Sequence, residues 1–398
     1  MRRRVFRRRL TDTRMFRLLR LLPVALVFPL ALVLAPAGAQ PVFTVEETRS
    51  ILALGPWPPA PRSDPGNRVS GQPLAIELGR RLFRDPRMSP VGYIACVTCH
   101  QPDRSFTDHK ARAHGLADLP RNTPALANLG QQRWYGWGGS SDSLWMASIR
   151  PMLDAREFDG SPATVARLFE RDPELAACYR KVFREMPGRD RQRTMVNVGK
   201  ALAAFQETLV TGRTPFDALR DALQRNDQAS VAMVAPAAQR GLKLFVGPAG
   251  CVACHSGPNL SDGAFHPGAA PAGAATGADT GRLEGARTLK ASPLNLLGRH
   301  NDDPRRANAT ATRELRVREQ LRGQFRTPSL RNVAHTGPYL HDGRSERLQD
   351  ALVHAWQSSP AGVLSAPQVD DLAAFLATLS DEYGERRPWT SQASVRCP

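Results

Sequence analysis

Strand signals are scarce along these 398 residues, which argues against a sheet-based fold and for a mainly α architecture. Long apolar runs are lacking too. The stretch 21–34 is short and is broken by Pro23 and Pro29, which argues against a permanent membrane span. Acidic residues are outnumbered, 37 Asp and Glu against 54 Lys and Arg, for a net charge of +17. Nine arginines and one aspartate fall in the first 39 residues, so +8 of that excess belongs to the N-terminal segment alone. Cysteines number only six, and four of them lie in two short motifs. Cys178 and Cys397 remain, and an oxidising compartment would permit a single disulfide between them.

The two motifs are Cys96-Val97-Thr98-Cys99-His100 and Cys251-Val252-Ala253-Cys254-His255. Cys-x-x-Cys-His is the attachment signature of a c-type haem. Two thiols at this spacing form thioethers to one porphyrin, and the next histidine lies beneath the iron as its proximal ligand. A thioredoxin-like redox pair or a zinc site would not call for a histidine directly after both pairs. The 155 residues between the motifs imply two haem modules rather than neighbouring turns. Cys96, Cys99, His100, Cys251, Cys254 and His255 are therefore the expected residues of two covalently bound haem c groups, with His100 and His255 on the iron.

The N-terminus reads as an export signal. Arginines from Arg2 to Arg20 form a basic segment, the run 21–34 follows, and Ala37-Gly38-Ala39 suits cleavage before Gln40. Met15 would also serve as a start. Export agrees with extracytoplasmic haem attachment and places the mature protein in the periplasm; only an uncleaved signal would tie it to a membrane. Nucleic acid is a poor partner for an exported chain, whatever its charge.

Residues 1–39 are thus read as the signal peptide and 40–72, rich in proline, as an extended lead-in. An N-terminal haem domain is expected over 73–234, a C-terminal one over 235–385, and a tail over 386–398. Helices are expected over 73–83, 163–169, 194–210 and 235–245, and from an N-cap at Ser365 through Leu379. The stretch 264–286 reads as a Gly/Ala/Pro-rich surface loop, and 305–322 as a solvated charged segment. Helix, short loop and Cys-x-x-Cys-His occur twice. The expected fold is two c-type cytochrome-like haem domains packed at an interface.

Around the motifs stand Leu78-Gly79-Arg80-Arg81-Leu82-Phe83, Arg121-Asn122-Thr123-Pro124, Phe325-Arg326-Thr327-Pro328-Ser329-Leu330-Arg331-Asn332 and Pro338-Tyr339-Leu340-His341-Asp342-Gly343. With them the chain resembles the bacterial di-haem cytochrome c peroxidase family, including its MauG-like and MbnH-like branches, over roughly residues 73–380. The resemblance implies an exported oxidoreductase that reacts with hydrogen peroxide at the first haem. It implies that Trp137 is the tryptophan between the haems, where a packed core residue is the alternative. It also implies that Glu157 is the proton-handling acid above the peroxide-binding haem, where an exposed acid is the alternative. His114, by its spacing from Asn122, matches a removable distal ligand of the first haem, a ligand that MauG-like members lack. Asn122, Thr336 and Pro338 match residues that hold a calcium ion. His341 matches a structural or propionate-side histidine.

The sequence also departs from the family. The distal ligand of the second haem, Met or Tyr in the family, falls on Ala355, and no Met follows Met233. His354 is the nearby side chain able to bind iron, and it would give a lower potential than a Met ligand. An open second haem or a ligand from Tyr383 are the alternatives. The family's Gln near the peroxide site falls on Ala147, and its Arg after the bridging Trp falls on Ser140.

Three readings follow. The first is a peroxidase fed electrons by a small periplasmic cytochrome or copper protein. The second is a MauG- or MbnH-like enzyme that modifies tryptophan on a partner protein. The third is a di-haem electron carrier without catalysis.

Overall fold

The computed structural model describes residues 42–267, 279–356, 363–381 and 397. The segment 1–39 expected to be a signal peptide, Tyr383 and all of the 386–398 tail except Cys397 lie outside them. Fourteen helices occur among the described residues. They are α1 (Val45–Leu52), α2 (Pro73–Phe83), the single turn α3 (Cys96–Cys99), α4 (Leu144–Leu153), α5 (Pro162–Arg171), α6 (Pro173–Phe183), α7 (Arg191–Gln206), α8 (Pro215–Gln224), α9 (Gln228–Ala232), α10 (Pro236–Val246), α11 (Arg282–Ala291), α12 (Thr310–Glu314), α13 (Leu348–Trp356) and α14 (Ala366–Ala377). Two three-residue strands, β1 (Phe265–Pro267) and β2 (Gln324–Arg326), pair antiparallel, with His266 opposite Phe325. The fold is mainly α, as expected. No described helix is long and apolar enough to cross a membrane.

Local chemistry sets the helix starts. Proline opens α2, α5, α6, α8 and α10, where its missing N–H costs nothing. Side-chain oxygens of Ser143, Ser161, Asp172, Asp190 and Thr214 accept first-turn amides of α4, α5, α6, α7 and α8. The five helices expected from periodicity are present, within a few residues. Several elements depart from expectation. A helix, α1, lies inside the proline-rich lead-in, fixed by a reciprocal capping pair between Thr44 and Glu47. The stretch read as a loop contributes β1 and the start of α11, whose Leu283, Ala286 and Leu289 are buried.

The apolar residues form two clusters. The first centres on α7, which is buried along nearly its whole length and takes α2, α4 and α5 against it. The second centres on α10 and α14, with α1 and α8 joining. Membership passes from one cluster to the other between Leu209 and Phe216, because Phe216 and Leu219 of α8 face the second core. Leu289, Leu294, Leu296 and Ala309 return to the first.

The halves repeat one plan. Gly79 of α2 lies on the backbone of Ala201 in α7, and Gly241 of α10 lies the same way on Asp371 in α14. Asn128 and Asn332 are both left-handed, each before a 3-10 turn. Tyr135 bridges Ser141 as Tyr339 bridges Ser345, 204 residues later. α4 and α13 begin at Leu144 and Leu348, again 204 apart. At the cysteines the offset is 155, so the second half carries an insert, and it holds α11 and α12. Buried Asp142 clamps that insert by accepting from Leu296 N (2.9 Å) and Thr312 Oγ1 (2.7 Å).

Candidate haem centres and the bridge between them

Each Cys-x-x-Cys-His forms one tight turn. The amide of His100 donates to Cys96 O, and that of His255 to Cys251 O, both at 2.9 Å. His100 Nδ1 lies 3.0 Å from Phe106 O, and His255 Nδ1 lies 3.0 Å from Leu260 O. A carbonyl can only accept, so Nδ1 carries the proton and Nε2 is left as an iron ligand. Phe106 and Leu260 both have left-handed backbones (φ 59° and 50°), a costly conformation for non-glycine residues that aims the two carbonyls. Burial pushes the pKa of both histidines down, which keeps the rings neutral as metal binding requires.

The four motif cysteines are not disulfide-bonded. Burial pushes the Cys96 thiol up to about 12, and the Cys99 and Cys251 thiols up to about 11. A thioredoxin-like pair needs a readily formed thiolate, and these sites work against one. Beside Cys251, Cys254 and His255 lies a cavity of about 480 Å³ with apolar walls that include Phe245, Leu352 and Leu376. Arg326 also lines it, buried and without a carboxylate partner among the described residues, and burial pushes its guanidinium down to about 10. An apolar slot, an oriented imidazole, two unbridged thiols and a buried cation suit a porphyrin carrying acidic propionates. A cluster of Cys254, Asp262 and His266 has metal-ligand spacing, but Cys254 belongs to the attachment motif.

Trp137 is held from both halves. Its Nε1 donates to Asn122 O (2.9 Å), and its carbonyl accepts from Arg326 N (2.9 Å). It also lines the cavity of the second centre. Next to it Arg282 donates to Gly138 O and Gly139 O (3.2 and 2.6 Å) and lies over the rings of Trp134 and Phe265. Glu157 follows α4. Burial, then the neighbouring Asp154, raises its carboxyl to about 7, while Arg150 and Arg156 pull the other way. Its backbone packs against Gly115, next to His114, whose carbonyl lies 3.7 Å from Cys99 Sγ, which sets it on the side of the first centre.

The remaining candidates are placed as follows. His114 Nδ1 lies 2.6 Å from Asp118 Oδ1, and the side chain is exposed. Asn122, Thr336 and Pro338 all line the one cavity, and Asn122 Nδ2 donates to Lys110 O (2.8 Å). His341 stacks on Phe325 at 3.6 Å. His354 Nδ1 meets Ser345 Oγ (2.8 Å), and the face of α13 that lines the cavity carries Ala351, Leu352 and Ala355 instead. Cys178 and Cys397 form a disulfide, with Cα atoms 5.2 Å apart. Arg150, Arg282, Arg326 and the two aiming carbonyls were not singled out from the sequence. The 204-residue repeat aligns Arg150 with His354; Arg282, in the insert, and the two carbonyls carry no such signal.

A duplicated helical fold with two Cys-x-x-Cys-His centres defines a di-haem c-type oxidoreductase. A family model described as di-haem cytochrome c peroxidase matches residues 73–225. The methylamine utilization protein MauG of Methylorubrum extorquens is 34% identical over 78% of this chain and 79% of its own length. Cytochrome c551 peroxidase of Pseudomonas aeruginosa is 29% identical over 78% of this chain and 81% of its own. The crystal structure of a MauG-like protein associated with microbial copper homeostasis superposes with a TM-score of 0.63 at 27% identity, covering 84% of this chain and 97% of that one. The chain belongs to the di-haem cytochrome c peroxidase and MauG family.

Proposed function

We propose that this chain is an exported, periplasmic enzyme that reduces hydrogen peroxide at its first centre and exchanges electrons with its second centre through Trp137. The observation that carries this reading is Glu157, a half-buried carboxyl raised to about 7 by desolvation, whose backbone packs against Gly115 on the Cys99 side of the first centre. A group with that proton affinity can take a proton and return it near neutral pH. The haems, when bound, supply the redox chemistry, and two electrons and two protons convert one peroxide into two waters. The chain's own residues do the rest. Glu157 accepts the proton of the inner peroxide oxygen and delivers it to the outer one. Phe106 O and Leu260 O keep the imidazoles neutral and oriented. Trp137, fixed by Asn122 and Arg326, offers an aromatic relay that cannot swing away. In this reading a small cytochrome or copper protein donates the electrons, and Asn122, Thr336 and Pro338 supply oxygen ligands to a calcium ion beside that relay.

A second reading has one observation in its favour. Ala351 and Ala355 present methyl groups to the second centre, so the Met ligand of a cytochrome-type electron acceptor has no counterpart there. That suits a MauG- or MbnH-like task in which the oxidising equivalents are spent on tryptophan of a partner protein. Turnover assays separate the two. Rapid oxidation of a reduced cytochrome or copper protein by peroxide supports the peroxidase task. Peroxide consumption without it, with loss of tryptophan from a co-expressed partner, supports the other.

A further inference from the structure

Arg150 occupies an unusual place. It sits on α4 between Ile149, which faces α7, and Pro151, and its Nη1 donates to the hydroxyl of buried Ser140 in the turn after Trp137. It is surrounded by protein, and burial lowers its pKa, yet its side chain remains accessible. The chain folds back against the same helix, with Phe158 N donating to Pro151 O at 3.3 Å, so Glu157 lies beside the end of α4 that carries Arg150. Glu157 is the charge that acts on it most strongly. No carboxylate pairs with it among the described residues. Asp154 is taken by Arg156 at 2.9 Å, and nearby Arg121 is taken by Asp279 at 2.6 Å. The internal repeat shows what is special here. The residue 204 positions later is His354, and it too bonds a turn serine, Ser345. Only the first half puts a permanent cation at this helix position, next to a carboxyl.

We propose that Arg150 holds the anion formed at the first centre, delivering from α4 the positive charge that the resemblance places at position 140, where this chain has Ser140. The proposal rests on the peroxide reading. Neutral peroxide gives its proton to the Glu157 carboxylate, leaving a hydroperoxide anion and a carboxylic acid. The O–H bond breaks, a new O–H forms on Glu157, and no electrons move. The anion then needs a cation in place, and a preorganised guanidinium anchored on Ser140 provides it without reorganisation.

The test is anion binding to the ferric holoprotein, with fluoride as the probe and the haem absorption as the readout. Carbon monoxide binding to the ferrous form is the neutral control. Arg150→Gln is expected to weaken fluoride binding by about tenfold or more, the scale of one charge-assisted hydrogen bond, and to leave carbon monoxide affinity within about twofold. Arg150→Lys is expected to keep most of the fluoride affinity, and the S140R/R150Q double variant to recover it. Unchanged fluoride affinity in Arg150→Gln overturns the proposal, and so does an equal loss for both ligands. The peroxide reading fails separately. Arg150-dependent fluoride binding in a protein inert to peroxide would keep the anion site and sink the peroxide chemistry.

Discussion

At the scale of single residues, Glu157 and Asp217 carry opposite kinds of consequence. Glu157 must be ionised to accept a proton, so the rate of reaction with peroxide is expected to rise with pH through about 7. Glu157→Gln should slow that reaction by about 10²–10⁴-fold and flatten the profile, as stopped-flow absorption would read. The same shift acts on stability with a definite sign. The folded carboxyl binds its proton more tightly than the ordinary value of 4.5, so between that value and about 7 the native state holds the extra proton. Glu157 therefore costs stability progressively as pH rises through that window, and Glu157→Gln removes the cost. Asp217 is purely structural. It accepts from both terminal nitrogens, Nη1 and Nη2, of fully buried Arg331 at 3.0 Å, and Arg331 in turn lies 3.8 Å over Trp57. Asp217→Asn leaves an uncompensated buried cation and is expected to cost about 3–5 kcal/mol in urea unfolding.

At the scale of elements, the two helix crossings depend on glycine. A Cβ on Gly79 would run into the carbonyl of Ala201, and one on Gly241 into that of Asp371. A helix backbone cannot step aside as a flexible side chain can. Gly79→Ala and Gly241→Ala are each expected to destabilise by about 1–3 kcal/mol, read from denaturant midpoints. Much of this level was legible in the sequence. The amphipathic stripes of α2, α7, α10 and α14 and the proline at the start of α2 were sufficient to place them. α13 is not legible there, because nine residues give little more than two turns of periodicity. The haem attachment residues were legible because thioether chemistry fixes their spacing. The carbonyls of Phe106 and Leu260 were not, since a backbone group leaves no side-chain signature. Arg150 escaped because an arginine-rich chain gives no reason to pick one arginine until the repeat aligns it with His354.

At the scale of the whole molecule, the duplication explains why one chain can carry two different centres on one plan. The same turn, with Tyr135 and Ser141 in one half and Tyr339 and Ser345 in the other, precedes α4 and α13. What each half then offers differs: in the proposed mechanism Arg150 on α4 and Glu157 just after it serve the first centre, whereas α13 lines the second with Ala351 and Ala355. The insert of α11 and α12 ties the halves by returning its leucines to the first core. The Cys178–Cys397 disulfide adds a covalent tie across 219 residues of chain. Cys178→Ser is expected to lower stability by about 2–4 kcal/mol and to make the C-terminus more open to protease, as limited proteolysis would show.

The central claim is that the first centre activates peroxide with Glu157 as its proton carrier. The most direct measurement mixes one equivalent of peroxide with the ferric holoprotein, and separately with the protein after one-electron reduction, for the native chain and for Glu157→Gln. The account predicts a prompt change in haem absorption in at least one of these states of the native protein, slowed by orders of magnitude in the variant while its resting spectrum is unchanged. Equal rates in the two proteins, or inertness of the native protein in both states, would contradict it.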